Sequence, residues 1–169
     1  MTVWGNSADI YLSEILSWCI ENRGVDILLL SSRQSFGSRG KGSYSRDVDG
    51  TARSLLGKKL ISSFEASGWP GTKLVDHKGR IYVSGLDVEL ARKMIQIEDK
   101  LFEWLNVQPK ALPEDLCLFK RDEKLPVFIS VTHERNAWVI ADSRPPGFTR
   151  STLQAEDLYV WQGKYFCRI

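Results

Sequence analysis

From residue 112 onward the chain breaks into short β-branched or aromatic runs, at 116–120, 127–132, 137–141, 158–161 and 165–169. Runs this short, bounded by polar and turn-forming residues, fit strands rather than amphipathic helices. The intervals 121–124, 133–136 and 162–164 have the length of hairpin turns, so neighbouring runs are expected to pair antiparallel. The longer gap, 142–156, contains Pro145-Pro146-Gly147 and reads as a surface loop. With no helices interleaved among these strands, an alternating βαβ architecture is disfavoured.

The preceding residues carry a different periodicity. Ser7 is placed to cap a first helix running to about residue 22, in which Leu12, Ile15, Leu16, Cys19 and Ile20 form one apolar stripe. Gly24 stands where a left-handed C-terminal cap belongs. Residues 25–30 then read as a strand buried on both faces. A second helix is expected over about 51–66, with Leu56, Leu60 and Phe64 as its spine and Gly68 and Pro70 ending it. Runs at 72–76 and 80–84 suggest a hairpin turning at His77-Lys78-Gly79. A third helix over roughly 87–106 carries Leu90, Met94, Ile97, Leu101, Phe102 and Leu105. The expected class is α+β: N-terminal helices with a short strand and hairpin, followed by a C-terminal antiparallel β-meander. At 169 residues the chain suits one domain whose core needs no covalent staple.

Cysteine usage and patterning narrow the setting. Cys19, Cys117 and Cys167 are odd in number and far apart, which fits a reducing cytoplasm better than secretion. No CxxC pair occurs, and His77 and His133 lack metal-ligand spacing, so neither a metal nor a cofactor is expected. The first twelve residues lack a basic start followed by an apolar run, and the longest apolar run, 27–30, is too short to span a membrane. Six tryptophans are many for this length, and they are expected at the core's edge or at an interface.

The segment most suggestive of function is 31–54, where five cations face two aspartates among seven serines and four glycines. A mobile basic loop at about 31–50 is expected, with Arg33, Phe36, Arg39, Lys41, Tyr44 and Arg46 as contacts for a protein or a nucleic acid. It fails as a nucleotide-binding P-loop because Lys41 is followed by Gly42 and no helix starts there. A second candidate loop presents Arg144, Phe148 and Arg150, residue types enriched at binding hot spots.

His133, Glu134 and Arg135 supply the base, acid and cation of an RNase-like reaction, although the tripeptide also reads as a polar hairpin tip. No catalytic motif is recognisable, and the lack of a convincing catalytic set leans the expectation away from an enzyme. The first expectation is a small cytosolic protein-binding module, an inhibitor or immunity-type protein that blocks a partner enzyme. The alternative is a nucleic-acid-binding or RNase-like domain that uses residues 33–46 with His133, Glu134 and Arg135.

Overall fold

The computed structural model describes residues 1–33, 35–36, 42–43, 46–107, 112–123, 125–154 and 158; for 35–36, 42–43, 46–47 and 105 it describes the backbone alone. Its elements, in chain order, are β1 (Thr2–Asn6), α1 (Leu12–Arg23), β2 (Ile27–Arg33), β3 (Ser35–Phe36), β4 (Gly42–Ser43), α2 (Arg46–Leu56), β5 (Leu60–Ala66), β6 (Gly68–Trp69), β7 (Thr72–Lys73), β8 (Gly79–Gly85), α3 (Val88–Ile97), β9 (Asp115–Phe119), β10 (Pro126–Val131), β11 (Asn136–Ala141) and β12 (Phe148–Arg150). Eight of the strands form one antiparallel sheet in the order β12-β1-β11-β10-β9-β2-β8-β5. The class is α+β, as the patterning implies, and the two hairpins β9–β10 and β10–β11 form where the turn segments place them.

Strand β2 shows why the sheet is central. Leu28 and Leu30 face one side, where they join Leu12, Leu16 and Cys19 of α1, Leu56 of α2, Leu90 and Met94 of α3, and Phe128. Ile27 and Leu29 face the other side, with Ile81, Val83, Cys117, Ile129 and the buried Trp69 and Leu74. Both faces of the strand are covered, which is what an unbroken apolar run requires. Trp69 and Trp104 are buried, and Trp4, Trp18 and Trp138 pack partly buried against the two cores, so all five are structural.

Several boundaries differ from the sequence reading, each for a physical reason. Residues before α1 form β1, which inserts between β11 and β12; Ser7 donates to the Gly147 carbonyl and caps nothing. The N-terminus of α1 is instead capped from a distance. The Asp99 carbonyl accepts from Leu12 N at 2.7 Å, and its carboxylate accepts from Ser13 N and Ser13 Oγ at 2.7 and 2.9 Å. This interaction draws residues 98–100 out of helical geometry and ends α3 at Ile97, before a 3-10 segment, Leu101–Asn106. Gly24 does close α1 in the left-handed conformation, φ 62°.

The expected helix over 51–66 is half helix and half strand. Gly57, with φ 52°, breaks the i, i+4 spacing that links Leu56 to Leu60, and the chain turns into edge strand β5. The expected hairpin at 77–79 is also absent: β7 pairs with β6, whereas β8 pairs with β2 and β5. The loop expected at 142–156 contributes β12 to the sheet. Within the stretch expected to be a loop, β2 continues to Arg33, β3 pairs with β4, and α2 begins at Arg46. Of the last two expected runs, 158–161 and 165–169, all but Leu158 lie outside the described residues.

Candidate functional site

Strands β2, β9 and β10 are adjacent, and one end of this trio gathers much of the chain's polar chemistry. Arg33 ends β2, Glu114 and Asp115 lie at the start of β9, and β10 runs into a 3-10 turn, Thr132–Glu134. Against them lies the β6–β7 segment with the residues that follow it. A cleft of about 320 Å³ opens between the two, lined by Arg33, Gly71, Thr72, Lys73, Leu74, Val75, His77, His133 and Glu134.

Asp115 holds the two walls together. Its side chain is fully buried, on the same sheet face as Ser31 and Cys117. Trp69 Nε1 donates to Oδ2 at 2.8 Å and Thr72 Oγ1 to the same oxygen at 3.3 Å, which secures the β6–β7 wall. Thr132 N donates to Oδ1 at 2.8 Å, which secures the turn that carries His133. A buried carboxyl group is costly to keep, and three donors offset part of that cost here.

Above it, Arg33 Nη2 meets the imidazole edge of His133, 2.7 Å from Nδ1 and in contact with Nε2. Arg33 Nε lies 3.1 Å from Glu114 Oε2, close enough for an ion pair yet too poorly aligned for a hydrogen bond. His133 Nε2 is 3.5 Å from the Glu134 carboxylate. Across the cleft, His77 Nδ1 donates to the Val75 carbonyl at 2.6 Å. The two positive-φ non-glycine residues among those described flank these imidazoles: Asp76 (φ 60°) precedes His77, and Arg135 (φ 55°) follows the His133 turn. Such strained positions persist where the surroundings over-determine them, a common property of functional sites.

Burial pushes the carboxyls of both Glu114 and Asp115 up from their ordinary range. Arg33 opposes the rise at Glu114; the Thr132 and Trp69 N–H groups oppose it at Asp115. With a raised native value, the folded state keeps its proton to higher pH than the unfolded chain does. Each carboxyl's favourable contribution is therefore complete below the ordinary carboxylate range and is lost as pH rises through the native value. Glu114→Gln, which cannot ionise, is expected to gain stability relative to the parent protein as pH rises from about 4. Urea midpoints at several pH values check this, and a pH-independent difference contradicts it.

The sequence-selected residues divide sharply. Arg33 and His133 come into contact, and Glu134 shares their cleft. Arg135 points elsewhere: it pairs with Asp9 at 2.6 Å and Glu103 at 3.3 Å and lies over the Phe102 ring, so it is not the cation of this site. Phe148 is 1% exposed and edge-on to Phe128, which corrects its reading as an exposed anchor. Arg144 Nε donates to the Phe148 carbonyl at 2.6 Å, and Arg150 lies exposed on β12 at the far edge of the sheet. Phe36 and Arg46 are placed by backbone only, in β3 and at the start of α2, while Arg39, Lys41 and Tyr44 lie outside the described residues. Sequence reasoning assigned His77 to a hairpin turn and passed over Asp115 and Lys73. The proximity of His77 to His133 arises through β6–β7 packing and has no local sequence signal.

No family model matches the chain, and no curated protein or solved structure is significantly similar to it.

Proposed function

We propose that this protein binds single-stranded nucleic acid, seating a backbone phosphate in the Arg33–His133 cleft. The observation that carries this reading is that Arg33, the first cation of the basic 31–54 segment, contacts His133 in a cleft that Lys73 and His77 also line. A guanidinium, an ammonium and two imidazoles converging on one concavity suit a phosphodiester, which accepts through its non-bridging oxygens. In sequence the basic segment continues directly beyond Arg33 with further cations, a composition suited to a nucleic-acid backbone. Cys19 and Cys117, buried and unpaired, support action in a reducing cytosol.

The test is fluorescence anisotropy with single-stranded RNA and DNA oligonucleotides over a range of salt. Arg33→Ala is expected to weaken binding about tenfold at low salt and to reduce the log–log salt slope by about 0.7, one phosphate contact on a single strand. If the parent protein retains neither oligonucleotide at low salt, the reading fails.

A second reading, a module that blocks a protein partner, is favoured by exposed apolar side chains at two separate places. Val75 at the cleft is 68% exposed, and Ile61 on edge strand β5 is 52% exposed.

A further inference from the structure

We propose that the cleft is an acid-strengthened phosphate site, in which protonation of His133 releases Arg33 to the ligand. This rests on the reading that the cleft seats a backbone phosphate. The guanidinium best suited to that phosphate is already engaged. Arg33 Nη2 lies 2.7 Å from Nδ1 of His133 and contacts Nε2, while its Nε lies 3.1 Å from Glu114 Oε2. A phosphate entering the cleft therefore competes with an imidazole for the Nη2 end.

The protonation state of the ring decides that competition. A guanidinium has donors only, so the imidazole must accept. Because Nη2 reaches both ring nitrogens, either neutral tautomer presents it with an acceptor. An imidazolium carries N–H at both positions and presents none. Protonation thus replaces a hydrogen bond by two like charges in contact. The Glu114 carboxylate holds the Nε end, so the released guanidinium stays at the cleft. The freed Nη2 and the new imidazolium then share one concavity, and a phosphodiester accepts from both through its non-bridging oxygens.

Other titratable groups face this pair. Among the described residues, Glu114 and Asp115 come from β9, Glu134 from the 3-10 turn, and Lys73 and His77 from β7 and the residues after it. Glu134, 3.5 Å from Nε2, and Asp115, which attracts both His133 and Arg33, receive the imidazolium once the guanidinium has moved. Burial raises the carboxyls of Glu114 and Asp115, so they approach the same pH window from its acid side. Protonating either one weakens a hold on Arg33, and a proton on His77 adds charge to the cleft. All these changes act in one direction, so substitution must identify the group responsible.

The test measures affinity of the full chain for a thymidine-only DNA strand without terminal phosphates, whose own charge is constant over this window. A pH-insensitive rhodamine label reports anisotropy at fixed ionic strength. Binding is expected to tighten about tenfold between about pH 8 and about pH 5.5. His133→Gln, whose amide oxygen accepts from Arg33 but takes no proton, is expected to change less than about threefold over that range. Glu114→Gln and His77→Gln are each expected to keep most of the gain. NMR of the nitrogen-labelled parent protein needs no variant: the Arg33 guanidinium resonances are expected to move with the same midpoint as the His133 ring, which decides the matter if His133→Gln unfolds. Binding that is independent of pH overturns this inference and leaves the binding reading standing. No binding at any pH overturns both. A gain that survives in folded His133→Gln, or is lost in Glu114→Gln or His77→Gln, overturns the inference, as do Arg33 resonances that stay still while the His133 ring titrates.

Discussion

Trp69→Ala is expected to destabilise the protein by about 4 kcal/mol, within the usual range for emptying a buried tryptophan site. Trp69 is fully buried on the face of the sheet opposite the helices, and its Nε1 is a donor to Asp115. Its ring occupies the space a side chain at position 79 would need: a Cβ on Gly79 would overlap it. That interlock means the neighbouring backbone cannot collapse easily into the hole. The loss includes the area removed from water, the cavity left behind and one donor taken from the carboxylate. Urea unfolding of the two proteins measures it, and a loss under 1 kcal/mol would show that the β6–β7 segment is not integral to the core.

The second large effect is expected at Asp115. Asp115→Ala strands the Trp69 N–H, the Thr72 hydroxyl and the Thr132 N–H in a buried setting, at a cost of about 1 kcal/mol each, or about 3 kcal/mol together. Asp115→Asn retains the volume but turns an NH₂ toward one of those donors, so a smaller loss, about 1–2 kcal/mol, is expected. Amide exchange at Thr132 gives a local readout, since its partner is removed in the first variant. Protection unchanged at Thr132 in Asp115→Ala would mean the carboxylate does not hold that wall.

The fold was legible where periodicity is local and strong. The apolar stripe of α1, the Gly24 cap, the doubly buried β2 and the β9–β10–β11 hairpins follow from spacing, turn length and glycine chemistry. It was least legible where a distant residue decides. Nothing near Leu12 announces that Asp99 caps α1, and nothing near Ile97 announces that α3 ends to supply that cap. Leu56, Leu60 and Phe64 are spaced for a helix, and the glycine at 57 outweighs that spacing.

The site divides in the same way. Arg33 and His133 were each visible as candidate residues, one in a basic segment and the other in a polar tip. Their contact was not, because it depends on β9 lying between β2 and β10. Arg135 looked like a natural third member by adjacency in sequence. The left-handed turn at that residue sends it to Asp9 and Glu103 instead.

The sheet order carries a consequence for synthesis. Strand β1 pairs Thr2 with Ala141, and β2 lies between β8 and β9, so the first two strands of the chain wait for partners made much later. A nascent chain elongates at about 5–20 residues per second, so Ile27–Leu30 emerges seconds before β9 can cover it. Pairing of this kind also makes intrinsically slow folders, because a long loop must close before its contacts repay it. During that interval β2 is a bare apolar edge on the ribosome, and chaperone dependence in the cell is the phenotype this topology implies.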